Sequence, residues 1–402
     1  MHSGKLNIVT DGQFGSTGKG LVSSFLAAKH RPRFLSNTNM ANAGHTAVNT
    51  DGTPFIAKAL PSASIMRKWI PGYDPWIIMG STSAFTLDQL FKEIEITGSE
   101  DKLVIHRRAI VITDEHKQRE CVGSDSTKHL ASTMQGCGAA LSDKIMRRKE
   151  VKLAENYIEI NRYVFRDSLT RPAHINDDMS LSEPFKDMCR YNCFSMHEYL
   201  DCVINSGHTI LHEGAQGFSL DINHGHSYPT CTSRGTTAMT NLADLGLAPR
   251  HLGDVYLVIR PYPIRVGNVI EDGAEKGNSG GCYPDQQEIS WSDVARLSGM
   301  PNDYAAELTN KEKTTVTKRV RRVFTFSRQQ LKEAVIANGA TKIAINFMNY
   351  VDWSCYGQST ERYITPAIAD FIKLVEDTAQ LPVTIVGTGP QYNHVIELPN
   401  RS

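Results

Sequence analysis

The sequence has no excess of charge of either sign: 43 Lys and Arg stand against 43 Asp and Glu, a formal net charge of +0 over 402 residues. A duplex nucleic-acid binder needs surplus cations to displace counterions from phosphates, so no nucleic-acid partner is expected, which leaves a nucleotide open. No apolar run approaches a bilayer span, and the stretch Met1 to Gly12 enters a short apolar strand without the charged, apolar and small-residue zones of a secretion signal. A soluble, cytoplasmic protein with no membrane partner is expected. Cysteine is scattered: of 8, the closest pair, Cys189 and Cys193, lacks the CxxC spacing of zinc or redox sites, so reduced thiols are expected. Linkers rich in Pro, Gly or Ser, charge blocks and internal repeats are also missing, so nothing marks a domain boundary.

What is present is ordinary globular composition, hydrophobic 40% and charged 21%, with enough apolar content for a sizeable core. Short apolar runs with little alternation occur at Leu6 to Val9, Trp76 to Met79, Thr209 to His212, Val255 to Ile259, Lys342 to Ile345 and Pro382 to Val386. Strands covered on both faces read this way. Helical patterns lie between them, at Leu21 to Lys29, Leu87 to Ile94, Ser327 to Asn338 with Gly339 as a stop, and Thr365 to Thr378. The alternation predicts an α/β fold with a large, mostly parallel central sheet flanked by helices. One elaborated domain over 1–402 is expected, with a mainly helical insertion over about 125–206.

Thr10 to Gly20, reading TDGQFGSTGKG, follows a strand and precedes a helix. Its glycines let backbone amides approach an anion, the helix N-terminus adds its dipole, and Lys19 supplies a point charge for phosphate. It is not a Walker A loop, which needs Gly in place of Gln13 and Ser or Thr in place of Gly20. A tight Gly-rich turn is the plainer alternative at this point. Asn42-Ala43-Gly44-His45-Thr46 sets a histidine in a loop, where an acid or phosphate donor is useful, although most loop histidines are merely solvated. Glu213-Gly214-Ala215-Gln216-Gly217 follows a buried strand and leads to Asp221 to Gly225, Tyr228-Pro229 and Thr232-Ser233. Polar side chains beyond the carboxyl ends of parallel strands suit a heterocycle and a phosphate.

These three stretches, in this order, resemble the adenylosuccinate synthetase family, whose signatures are a QWGDEGKGK loop, an NAGHT loop and an EGAQG segment running on to YP and VTSS. The likeness extends to Leu60-Pro61-Ser62, Asp143-Lys144, Arg147-Arg148, Arg265 to Gly267, Thr317 to Arg322 and Gly387 to Pro390, and weakens over 149–206 and 271–313. It implies a fold related to P-loop proteins and a ligase that phosphorylates a purine 6-oxo group, after which the aspartate amine displaces phosphate. Carried over, Lys19 balances charge on the phosphoryl group and His45 acts as acid, with Ser16 the third catalytic position. The triphosphate would lie on Gly15, Thr17, Gly18, Lys19, Gly20, Gly44, His45 and Thr46, with its base near Asn346, Asn349, Gly387, Gly389 and Pro390. The purine nucleotide would be held by Ser16, Asn42, Ser132, Thr133, Gln216, Thr232 and Arg319, and Arg147 would reach the 5′-phosphate of a neighbouring subunit in a homodimer. Aspartate would fall to Thr315, Thr317, Arg319 and Arg321, the guanidinium fork suiting carboxylates. Mg2+ would sit at Ser16 and Gly44.

Three departures bear on the substrate. Ser16 replaces the family's catalytic Asp and Thr17 its Glu, and a serine hydroxyl is no carboxylate base at neutral pH. The guanine-reading T-K-x-D appears as Asn346-Phe347-Met348-Asn349, without its Asp. Asp11 stands where the family usually has Gly, and is, with water and the phosphate itself, a candidate to take the purine N1 proton. Ser16 opens room for a 2-amino group, and the loss of the guanine-reading Asp permits adenine as donor base. This is the pattern of the family's phage branch that makes 2-aminoadenine, which condenses dGMP with aspartate using ATP. The alternatives are an ordinary member using IMP and GTP, and a non-catalytic nucleotide-binding sensor.

Overall fold

The computed structural model describes residues 1–122, 127–165, 195–314 and 317–399. Its centre is a ten-stranded sheet. In chain order the strands are β1 (Leu6–Asp11), β2 (Phe34–Asn37), β3 (Trp76–Met79), β4 (Leu103–His106), β5 (Val164–Phe165), β6 (Ile210–Glu213), β7 (Leu252–Ile259), β8 (Lys342–Ile345), β9 (Val383–Gly387) and β10 (Val395–Glu397). Their order across the sheet is β10-β9-β8-β7-β1-β6-β2-β3-β4-β5, and every pair is parallel except β9 with β10. The mostly parallel α/β architecture is as expected, and each of the six apolar runs became a strand.

Burial on both faces explains the unalternated sequences. Leu6 and Ile8 of β1 pack with Tyr199, Leu200 and Val203 of the helix Met196–Asn205, whereas Val9 packs with Val22 and Leu26 of α1 (Lys19–His30) on the other side. Helix ends follow capping chemistry. Ser327 accepts from the Gln330 amide ahead of Arg328–Asn338, Gly339 closes that helix at φ 56°, and Thr365 accepts from Ile368 ahead of Pro366–Ala379. α1 starts two residues before its apolar pattern, so Lys19 is its first residue.

Within 125–206 the described residues hold the helices Cys137–Ile145 and Met196–Asn205, the 3-10 turns Ala154–Asn156 and Ile158–Tyr163, and β5. Cys189 and Cys193 lie outside the described residues, and Cys137, Cys231, Cys282 and Cys355 are free thiols. Among the described residues no helix is long and apolar enough to cross a membrane.

The registers bring several strand ends to one edge. Val9 pairs with Glu213, Glu213 with Asn37, Asp11 with Val258, and Ile259 with Ile345. Loops leaving β1, β6 and β8 therefore meet above the middle of the sheet, where parallel architectures collect ligands.

Candidate active site

Those loops line a cavity of about 1180 Å3. Gly15, Ser16, Gly18, Lys19, Gly20, Asn42, Gly44, His45, Thr46, Ser132, Thr133, Gln216, Thr232, Arg321, Asn346, Asn349, Gly389 and Pro390 all line it. Thr17, Arg147, Thr317, Arg319 and Gly387 do not line it, and Thr315 lies outside the described residues.

The loop between β1 and α1 folds over a buried carboxylate. Asp11, at the end of β1, accepts from the Gln13 amide at 2.8 Å, the Thr17 hydroxyl at 2.6 Å and Lys19 Nζ at 3.1 Å. Lys19 also donates to the Gln216 carbonyl at 2.8 Å. Thr17, fully buried, thus faces Asp11, and Ser16 is turned outward with φ 55°. A left-handed φ is uncommon away from glycine, and Gln216 and Phe347 beside the same cavity share it, at 61° each. Gly18 has to be glycine on two counts: its φ is 86°, and a Cβ there would lie 2.6 Å from Asn346 Nδ2. That Asn346 amide donates to the carbonyls of Thr17 at 2.8 Å and Gly18 at 2.9 Å.

A second carboxylate, Glu213, ends the neighbouring strand β6. His45 Nδ1 meets Glu213 Oε1 at 2.5 Å, and Ser62 donates to Glu213 from its hydroxyl and, at 3.3 Å, from its amide. Burial alone would push the Glu213 carboxyl up, but the facing His45 and the hydrogen bonds of His45 and Ser62 hold it below the ordinary range. Sequence reasoning quoted Glu213 within a motif and gave it no task. The only signal was its motif membership, because its partner is 168 residues away.

In the rest of the cavity lining and next to it, several buried polar atoms lack partners. Arg319 donates from Nε to Thr317 Oγ1 at 3.1 Å and from a terminal nitrogen to the carbonyls of Ala131 at 2.7 Å and Ser132 at 3.2 Å, while its other terminal nitrogen is buried and unpartnered. Arg321 pairs with Glu312 at 3.1 Å, yet its Nε is buried without a partner. The Thr232 hydroxyl is likewise buried and unpartnered. Gln216 Nε2 donates to Asn42 Oδ1 at 2.9 Å, and the Ser132 hydroxyl accepts from the Met134 amide at 3.2 Å. Arg147 is exposed, at φ 54°, just past the helix Cys137–Ile145, where Ile145 and Met146 are exposed too.

Two further groups carried no sequence signal. Buried Glu312 collects Arg260 at 3.3 Å, Arg321 and the Tyr350 hydroxyl at 2.7 Å, and the two guanidinium charges hold its carboxyl down against the upward push of burial. Beside Asn349, itself buried, Trp353 and Tyr356 stack at 4.5 Å and 8° between planes, and Tyr304 leans on Trp353 at 4.9 Å. All three rings line the cavity.

Among the described residues the two carboxylates that line the cavity, Glu120 and Glu312, are both engaged. Glu120 accepts from the amides of Gly136 at 2.7 Å and Gly138 at 2.6 Å, at the start of the helix Cys137–Ile145. Among the described residues no group of three or more His, Cys, Asp or Glu side chains is placed to hold a metal ion. Ser16 and Gly44, from two different loops, both line the cavity.

Comparison with known proteins gives this arrangement a lineage. The adenylosuccinate synthetase family profile matches residues 8–356. The N6-succino-2-amino-2′-deoxyadenylate synthase of Vibrio phage phiVC8 is 33% identical over 402 residues, covering 97% of each chain. The adenylosuccinate synthetase of Archaeoglobus fulgidus is 27% identical, again over 97% of each chain. Among solved structures, a cyanophage S-2L succinoaminodeoxyadenylate synthetase bound to dGMP and dATP as an energy donor superposes with a TM-score of 0.74 at 31% identity, over 99% of this chain and 96% of that one.

Proposed function

The chain belongs to the adenylosuccinate synthetase family, and from that premise we propose that it condenses dGMP with L-aspartate at the expense of an adenine nucleoside triphosphate. The products are 2-amino-2′-deoxy-N6-succinyladenylate, nucleoside diphosphate and phosphate. The observation that carries this reading is a kept phosphate-handling set, Lys19 with the His45–Glu213 pair, beside two lost carboxylates at the positions occupied by Ser16 and Asn349. The relatives named for the same product, and the relative bound to dGMP and dATP, support it.

The triphosphate lies over the loop at the start of α1, where backbone amides, the helix dipole and Lys19 meet its charge. Its γ-phosphoryl group passes to the purine 6-oxygen as the nucleoside diphosphate leaves, and the purine N1 proton goes to water or to the phosphate itself. Anchored on Glu213 through Nδ1, His45 presents Nε2 to the moving phosphoryl group as donor and acid. Aspartate then attacks C6 through its amine and phosphate leaves. The unpartnered nitrogens of Arg319 and Arg321 give its carboxylates charge-assisted hydrogen bonds. Gln216, Asn42, Thr133 and Thr232 hold the nucleotide, and outward-turned Ser16 leaves room for the 2-amino group. The Asn349 amide carries both a donor and an acceptor, which suits adenine, whereas the carboxylate it replaces only accepts and suits guanine. The stacked rings of Trp353 and Tyr356 wall the base.

The Ser16 hydroxyl and the Gly44 carbonyl, hard oxygens on residues that line the cavity, would hold a Mg2+, which would neutralise charge on the phosphoryl group. Arg147, exposed and not lining its own cavity, would reach the nucleotide of a second copy in a homodimer.

A panel of dGMP, GMP and IMP crossed with ATP, dATP and GTP, read as aspartate-dependent product, tests the proposal. Turnover should concentrate on dGMP with ATP or dATP. A preference for IMP with GTP overturns the substrate assignment, and nucleotide-induced stabilisation with no turnover on any pair points to a sensor.

A further inference from the structure

Asp11 is the carboxylate that this chain has where its family usually has glycine, and its surroundings are complete. It is 0% exposed. Oδ1 accepts from the amides of Gln13 at 2.8 Å and Gly15 at 3.3 Å. Oδ2 accepts from the Thr17 amide at 3.3 Å, the Thr17 hydroxyl at 2.6 Å and Lys19 Nζ at 3.1 Å. Gly217 closes the remaining side so tightly that a Cβ there would lie 2.7 Å from Oδ1. Ser16 and Lys19 line the cavity, while Asp11 and Thr17 do not.

A general base needs an open lone pair within hydrogen-bond reach of the proton that it takes. Asp11 has neither the opening nor the reach. A buried anion touching five donors of one loop fixes that loop, and buried networks of this kind rigidify when every member is satisfied. We infer that Asp11 is a positioning residue: it sets the loop 13–19 and the Lys19 ammonium for the triphosphate, and it does not receive the purine N1 proton. It restores, from beneath the loop, negative charge that the family carries within the loop at positions 16 and 17. The inference rests on reading this loop as the triphosphate site.

The test compares Asp11→Asn, Thr17→Val and Thr17→Ser with wild type in steady-state kinetics and in thermal stabilisation by ATP. Asp11→Asn should raise the KM for ATP and lower kcat, together by on the order of ten- to a hundredfold, the usual cost of losing a partner that orients a reacting group. Its KM for dGMP should stay within about twofold, and the acid limb of its kcat profile against pH should stay in place. Thr17→Val should move the ATP parameters the same way by less, and Thr17→Ser should restore them. A folded Asp11→Asn with wild-type ATP kinetics overturns the inference, as does one that loses the acid limb while keeping its KM for ATP, the behaviour of a base. If Asp11→Asn fails to fold, Thr17→Val decides, and an unchanged KM for ATP in it overturns the inference. Should wild type be stabilised by ATP yet fail to turn over dGMP, the substrate reading has failed separately. ATP stabilisation lost in the variants then supports the positioning role, and stabilisation retained overturns it.

Discussion

Lys19 and His45, at the strand-end floor of the cavity, have their polar partners inside the protein, whereas Arg319 and Arg321, around residues 312–321, each keep one buried guanidinium nitrogen without one. A buried donor left unpaired costs about 1–3 kcal/mol, a cost that a ligand oxygen removes. The floor is thus satisfied within the protein, and on the proposed reading the nitrogens of Arg319 and Arg321 would be satisfied by aspartate. That division suits an enzyme that must hold reacting charge still while selecting its substrates. Two of the chain's departures from its family, Ser16 and Asn349, line the cavity, while Lys19, His45 and Gln216 are kept.

The severest way to break this comparison is to remove the floor. Lys19→Ala and His45→Ala should each lower kcat by on the order of a hundredfold or more in a folded protein, with little change in the KM for aspartate. Normal turnover in either variant removes that residue from the chemistry. Away from the floor, Arg319→Leu or Arg321→Leu should act mainly through the KM for aspartate, by on the order of tenfold or more, because a charge-assisted pair is lost. If both variants bind aspartate as wild type does, the carboxylates are gripped elsewhere.

A smaller shift is expected from Asn349→Asp, which should move donor preference from ATP toward GTP by about 1–2 kcal/mol, read as the ratio of kcat/KM values. No movement in that ratio would place base selection on the aromatic rings instead. The mildest test is of pH. Because the folded-state carboxyl of Glu213 sits below its ordinary value of 4.5, its ionised form contributes stability in full above that value and loses it as pH falls through the folded value. The destabilisation caused by Glu213→Gln, measured by urea unfolding, should therefore be larger at pH 7 than near pH 4. Equal losses at both would mean that Glu213 does not favour folding as an anion.

How much of this was legible beforehand depended on where each partner lay. Trp76–Met79 and Lys342–Ile345 announced themselves by continuous apolar runs, but Phe34–Asn37 did not, since half of it is polar. Its Ser36 and Asn37 are buried against His212 at 3.0 Å and the Ala59 carbonyl at 2.8 Å, partners that no local pattern reveals. At the site, spacing and motif picked out the loop, His45 and Gln216. Glu213, Arg260 and Glu312 stayed silent because their meaning lies in buried pairings across the fold. Asp11 was visible as a substitution, yet its place beneath the loop, outside the cavity lining, is set by partners that only the fold brings together.

Asn346 continues β8, and its amide grips the Thr17 and Gly18 carbonyls across the sheet, with Asn349 three residues further along the same strand end. The residue proposed to meet the donor base and the glycine-rich loop are therefore joined by one short bridge of protein. On the proposed reading such a bridge would act as a ruler. It would gauge a nucleotide by the span from its ring to its last phosphate, so that a diphosphate seated by its base would fall short of His45.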